Sequence, residues 1–237
     1  MRWNHPKRGS LNPEEFLPLA IQTGLIRALD ARVLELACAQ ARRWQDAGLA
    51  IRVSVNISRD SLQERGSTGL LRKTLDRHGL LGRPLEFEVT EDGLLESAEQ
   101  ARQFVESAHQ MGVRTALDDF GTGFSSLGRL RDLPVHYVKI DQSFVRGAAV
   151  EAKNAAMVEA IVSLAHRLGK QVVAEGVEDE ATLRYLDRLK VDYTQGFFID
   201  RPVGPEEITV RLQVERASVP RKTPRTLAPS RSDGAAS

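Results

Sequence analysis

Six short, mostly apolar runs, each ending on a polar residue and separated by helical patterns, constrain this chain more than any other feature. They are Ile51–Asn56, Leu85–Thr90, Arg114–Asp118, Val135–Asp141, Gln171–Glu175 and Val191–Gln195. Helical spacing of apolar residues falls between them, at about Asp60–His78, Ala98–Met111, Ser125–Arg131, Ala152–Leu168 and Glu180–Leu189, with a terminal helix near Pro205–Val214. Strands that alternate with helices pair in parallel through right-handed crossovers, so the fold class is α/β. A (β/α) barrel and an open doubly wound sheet both satisfy this pattern. No glycine fingerprint follows a first strand, which leaves dinucleotide binding without support.

Ahead of the first strand, residues 1–12 read as loop, broken by Pro6 and Gly9. Pro13 opens a helix over Pro13–Ala20 that stops at Gly24, and a long second helix covers about Ile26–Ala47, with Leu29, Val33, Leu36, Ala37, Ala41 and Trp44 as its apolar positions. Ser97 and Gln100 have capping-box spacing for the helix at Ala98. The expected domain spans residues 1–214. Residues 215–237, rich in Pro, Ser and Arg, lack the apolar content to order themselves and read as a solvated tail.

The chain has 237 residues, enough for one large domain, and a formal net charge of +1, which does not select a polyanionic partner. The one cysteine, Cys38, sits in a helical pattern and reads as a buried thiol, so no disulfide framework is possible within the chain. The N-terminus has no apolar h-region, and no stretch is long and apolar enough to span a membrane. The expected compartment is the cytoplasm.

Strand side chains alternate faces, and parallel strands are usually apolar on both. Here Asn56, Glu88, Asp118, Lys139 and Glu175 lie opposite in parity to their apolar neighbours, Glu86 shares the face of Glu88, and Gln195 closes the last strand. Each could be a satisfied structural group, and Asp118-Asp119 before Phe120-Gly121 could be a strand-closing turn. Six in succession at the carboxyl ends, where barrel enzymes build their sites, imply a shared polar centre. Asn56, Glu88, Asp118 and Asp119 offer oxygen donors that suit Mg²⁺ or Mn²⁺, with Ca²⁺ an inhibitory competitor. The five histidines show no paired metal spacing. Carboxylates, one lysine and no histidine base point to metal-assisted hydrolysis of a phosphate ester.

These residues resemble the EAL domain of bacterial cyclic-di-GMP phosphodiesterases, from Arg2 to about Leu212. The landmarks are Arg2-Trp3-Asn4-His5-Pro6, Thr23-Gly24-Leu25-Ile26, Val55-Asn56-Ile57-Ser58, Glu88-Val89-Thr90-Glu91, Asp118-Asp119-Phe120-Gly121-Thr122-Gly123, Lys139-Ile140-Asp141, Ala174-Glu175-Gly176-Val177-Glu178 and Gln195-Gly196-Phe197. The resemblance implies a modified TIM barrel and hydrolysis of one phosphodiester bond of cyclic di-GMP to linear pGpG. It implies divalent metals on Asn56, Glu88, Asp118 and Asp119, about 4 Å apart when two are bound. Lys139 and Glu175 would position the attacking water, and Gln195 would complete the site. Arg2 would contact a substrate phosphate, Glu91 would brace the loop Phe120–Ser126, and Glu178 would be structural near the site. Dimers through the region after Asp119 are also implied.

The family is named for a Glu-Ala-Leu triplet just ahead of the Arg-Trp that stands here as Arg2-Trp3. That triplet and the first two barrel strands are absent from this sequence, so the expected barrel is incomplete at the N-terminus, its open edges should make it unstable or prone to associate, and a misplaced start or a cut from a longer protein is the expected cause. Phe124 and Phe197 stand where the family often has Tyr. The expected function is a cyclic-di-GMP phosphodiesterase impaired in this form. The alternative is a non-catalytic cyclic-di-GMP-binding or protein-interaction module. Binding of DNA or membrane through the basic tail has little support from the near-neutral charge.

Overall fold

The computed structural model describes residues 3–95, 98–121, 130–131 and 134–218. An antiparallel hairpin, β1 (Trp3–His5) and β2 (Gly9–Leu11), comes first, followed by α1 (Pro13–Gln22) and α2 (Ile26–Asp46). Next come β3 (Val53–Asn56), α3 (Arg59–Gln63), α4 (Ser67–His78), β4 (Leu85–Thr90), α5 (Glu91–Leu95), α6 (Ala98–Gln110) and β5 (Arg114–Phe120). The chain continues through β6 (Tyr137–Ile140), α7 (Gln142–Val145), α8 (Ala152–Arg167), β7 (Gln171–Ala174), α9 (Glu180–Arg188) and β8 (Tyr193–Thr194). Helix α10 (Pro205–Ser218) belongs to a separate compact unit that begins at Val203.

The six strands β3 to β8 pair in parallel and in sequence order, and they curl into a half-barrel. One face of the sheet is apolar and buried: Val55, Phe87, Val89, Leu117, Val138, Ile140, Val172 and Ala174 join the helices in a single core. The Phe87 ring stacks on Phe104 of α6 at 5.8 Å. The other face carries the alternating polar residues. That division is the period-2 alternation read from the sequence, and it fixes register, since a one-residue slip would bury the carboxylates and expose the core.

Several expectations are corrected. Residues 1–12 are not all loop, because Trp3–His5 and Gly9–Leu11 pair, with the His5 ring accepting hydrogen bonds from the turn amides of Lys7 and Arg8. The expected helix Asp60–His78 is broken: α3 ends at Gln63 with Glu64 extended, and α4 starts after Gly66. The buried face of α2 is Leu34, Ala37, Cys38, Ala41 and Trp44, while Leu36 is exposed. The last strand shrinks to Tyr193–Thr194, and α10 runs past the expected end at Val214. The expected cap at Ser97 and most of the helix at Ser125–Arg131 lie outside the described residues, as does most of the tail.

At the amino ends of β5 and β6, His136 Nδ1 accepts a hydrogen bond from the Thr115 amide at 3.2 Å, which requires an unprotonated ring nitrogen. Burial, then the cations around it (His109, Arg114, Lys170 and Arg52), push the His136 pKa down from 6.5 to about 4. A lowered folded-state pKa means the unfolded chain binds more protons, so this contribution is full above pH 6.5 and is lost as pH falls toward 4. Thermal melts between those limits should therefore fall less steeply with acid for His136→Gln than for the wild type. Parallel curves would contradict the assignment. Separately, Phe87→Ala should destabilise the fold by about 3–5 kcal/mol in urea titration, as loss of a buried aromatic ring does.

Candidate functional site

The site begins with register. Asn56 pairs with Glu88 across β3 and β4, and Leu117 pairs with Val138 across β5 and β6. The residues after those two, Asp118 and Lys139, therefore lie side by side at the carboxyl end of the sheet. Lys139 is buried, and its Nζ lies 2.7 Å from Glu175 Oε1, 2.9 Å from Asp118 Oδ1 and 3.1 Å from Glu88 Oε1. Asn56 Nδ2 donates to the other Glu88 oxygen at 3.1 Å. Five residues from five strand ends thus form one connected network, so residues far apart in sequence act on the same charge.

Adjacent residues on a strand normally point to opposite faces. Asp119 escapes this rule because its backbone is left-handed, with φ of 54°, at a register shift between Leu117 and Phe120. Its amide donates to Asp118 Oδ1 at 3.1 Å, an arrangement in keeping with the local hydrogen bonding that lets Asp visit this region. As a result Asp118, Asp119 and Glu175 each place a carboxylate oxygen within 4.8 Å of the others, close enough to share a metal ion. Hard divalent cations take oxygen ligands of this kind, so the donor set fits Mg²⁺ or Mn²⁺.

Charge repulsion is visible in the acid strengths. Burial, then the neighbouring Asp118 and Asp141, raises the Asp119 pKa above the ordinary carboxylate range. Burial also raises Glu175, against the opposing pull of Lys139. At Lys139, burial disfavours the ammonium, but Glu88, Asp118 and Glu175 outweigh it and hold the pKa above that of an ordinary lysine. The ammonium therefore stays charged at neutral pH and serves as the internal counter-ion of the acidic ring.

Gln195 follows β8 and is exposed. Its amide donates to Ala174 O at 2.8 Å, and its carbonyl accepts from Val177 at 3.0 Å. The turn after Gln195 can come this close only because Gly196 lacks a side chain: a Cβ there would lie 2.1 Å from Val177 O. A pocket of about 220 Å³ opens between Gln142, Arg146, Glu175, Glu178, Gln195 and Phe197. Glu178 pairs with Arg146 at 2.6 Å on its wall. Glu91 begins α5 and is half-buried, but the loop it was expected to brace lies outside the described residues beyond Gly121, as does Arg2.

Sequence reading placed Glu86 on the face of Glu88 but missed the second polar layer that it forms with Arg52, Tyr137 and Arg114. Tyr137 is buried, and its hydroxyl accepts from Arg52 at 2.7 Å and from Arg114. Arg52 also pairs with Glu86 at 3.3 Å. The signal was parity: Glu86 and Tyr137 stand two residues before Glu88 and Lys139 and face the same way. Gln142 and Arg146 carried no such signal, because they lie in and just after α7.

A half-barrel of parallel strands with an acidic, lysine-bridged centre at the strand carboxyl ends defines a TIM-like α/β domain of the kind that binds ligands at that face. The family profile for the EAL domain matches residues 1–202, and the chain belongs to that family. It is 41% identical over 209 residues to the bifunctional diguanylate cyclase/cyclic di-GMP phosphodiesterase MucR of Pseudomonas aeruginosa, covering 88% of this chain and 30% of that protein. It is 37% identical over 204 residues to the cyclic di-GMP phosphodiesterase NbdA of the same organism, covering 86% of this chain and 26% of that protein. The chain therefore spans less than a third of the length of either relative. The solved structure of the MucR phosphodiesterase in complex with c-di-GMP superimposes with a TM-score of 0.83 at 41% identity, covering 87% of this chain and 84% of that one.

Replacing Lys139 leaves its carboxylates without their counter-charge. Lys139→Met should lower stability by about 3–5 kcal/mol at neutral pH, as breaking a buried ion pair does. Much of that loss should be recovered in mildly acid solution as the carboxylates protonate, as read by urea unfolding at two pH values. An equal loss at both would mean that packing, not charge, is what Lys139 supplies.

Proposed function

We propose that this domain hydrolyses one phosphodiester bond of cyclic di-GMP to give linear pGpG, in the cytoplasm and as a homodimer. The observation that carries the reading is the convergence of Asp118, Asp119 and Glu175 around a buried, charged lysine. The family relationship supports cyclic di-GMP as the substrate class. Asp118, Asp119 and Glu175 would hold Mg²⁺ or Mn²⁺, with Glu88 and Asn56 beside them, and Ca²⁺ would compete without supporting turnover. The bound cation would supply Lewis-acid stabilisation of the charge that builds on the phosphoryl oxygens.

The chain's own residues would do the rest. The Lys139 ammonium would hold the attacking water in place and offset negative charge in the transition state. One Glu175 oxygen would take the water's proton as the new P–O bond forms and deliver it to the ribose oxygen as that bond breaks, while its other oxygen faces the cation. Gln195 would orient the phosphate by hydrogen bonding, and Arg2 would contact a phosphate oxygen. Glu91 would brace the loop after Asp119, and Glu178, tied to Arg146, would keep the pocket wall in place.

A second reading, nucleotide binding without turnover, draws on one specific observation. Lys139 already bridges Glu88, Asp118 and Glu175, so the acidic site holds an internal cation without a metal. Incubation with cyclic di-GMP and Mg²⁺ or Mn²⁺ separates the two. The phosphodiesterase reading expects pGpG from the wild type and a loss of about a hundredfold or more in Asp118→Asn. Tight, metal-independent binding with no pGpG would instead establish the binding module.

A further inference from the structure

At the start of the sheet, β3 pairs with β4 alone, because the hairpin of β1 and β2 forms a separate sheet. The pairing uses alternate residues: the Val53 amide donates to Pro84 O at 2.8 Å and the Ile57 amide to Glu88 O at 2.9 Å. In a parallel ladder the residues between them, Ser54 and Asn56, turn their N–H and C=O groups to the outer side. Among the described residues those backbone groups have no hydrogen-bond partner. The two side chains are engaged on the β4 side, Ser54 Oγ with Glu86 at 3.3 Å and Asn56 Nδ2 with Glu88 at 3.1 Å. It is therefore the backbone of β3 that stands open.

The open groups say what would meet them. Ser54 and Asn56 lie about 7 Å apart along the edge, which is the repeat of a neighbouring strand. Beside that edge runs a groove of about 360 Å³ that β3 lines together with α1 and α2. Helix α1 contributes Pro13, Leu17 and Ile21, four residues apart and so on one stripe, and α2 contributes Ile26 and Val33. Ile21 is 57% exposed. A row of unmet backbone donors and acceptors beside an apolar helical wall is the complement of an extended strand. The edge is also unguarded: β3, Val-Ser-Val-Asn, carries no lysine, proline or bulge of the kind that keeps foreign strands away.

We propose that the free edge of β3 docks an extended segment of another polypeptide, apolar toward α1 and polar toward the concave face of the sheet, with no proline where it pairs. Pairing along Val53–Asn56 covers about 13 Å and needs about four or five residues. A second copy of this chain is not the occupant, because its strands β4 to β7, which have the required alternation, are already paired on both sides. The inference does not rest on the proposed hydrolysis, since it concerns backbone groups on the outer side of β3.

The probe is the peptide acetyl-Lys-Ile-Thr-Val-Thr-Ile-Lys-amide, titrated into the full chain by calorimetry with amide exchange followed by nuclear magnetic resonance. Binding should be saturable and one to one, and exchange of the Ser54 and Asn56 amides should slow by about tenfold or more as each gains a hydrogen bond. Ile21→Lys changes an exposed position and should weaken binding by about tenfold or more through the lost apolar contact. The same peptide methylated on every backbone nitrogen should not bind, a control that leaves the protein unaltered. The proposal is overturned by any of four results: no saturable binding by the folded wild type, equal binding of the methylated peptide, undiminished binding by folded Ile21→Lys, or unchanged exchange at Ser54 and Asn56. Sedimentation of the chain alone covers the other occupant: a dimer that Ile21→Lys converts to monomer would assign the groove to a second copy and overturn it as well.

Discussion

One buried ammonium sets the terms for the rest of this molecule. A sheet that gathers Glu88, Asp118, Asp119 and Glu175 at one rim is electrostatically strained, because neighbouring carboxylates repel in a medium of low dielectric constant. Lys139 relieves that strain by contacting Glu88, Asp118 and Glu175 together. Its contacts span β4, β5, β6 and the end of β7, so the charge network also ties the strands at their carboxyl ends. The same residue thus links register, stability and the electrostatics available for chemistry.

Beneath it, the Arg52–Tyr137–Arg114 layer repeats the device with opposite emphasis: two cations share one hydroxyl, and Glu86 balances one of them. Burial raises the Glu86 pKa, against the opposing effect of Arg52, which marks the concave face as only partly solvated. The apolar core lies on the other side of the strands. Apolar packing and the charged site are therefore separated by the pleat, with odd and even positions of the same strand serving different ends.

How much of this could be read from the sequence depended on which physical signal each part left. Strand β4 was legible to the residue, because Leu85, Phe87 and Val89 alternate with Glu86 and Glu88. Lys139 was legible as a polar residue on the wrong face of an apolar run. The hairpin was not, because three-residue strands carry too little periodicity to stand out from loop. The break at Glu64–Gly66 was hidden by apolar residues that keep helical spacing on both sides of it. The composition of the carboxylate cluster was the hardest point. The left-handed turn at Asp119 places two adjacent carboxylates on one side, and strand alternation alone argues against that.

Manganese binding followed by electron paramagnetic resonance tests the central claim most directly, because free Mn²⁺ loses its signal when it is coordinated and no turnover is needed. The account predicts saturable uptake by the wild type, loss of that uptake in Asp119→Asn and in Glu175→Gln, and retention in His166→Gln, whose ring pairs with Asp192 away from the acidic ring. Uptake that ignores both carboxylate substitutions, or no uptake by the folded wild type, would contradict the assignment of Asp118, Asp119 and Glu175 as a cation centre.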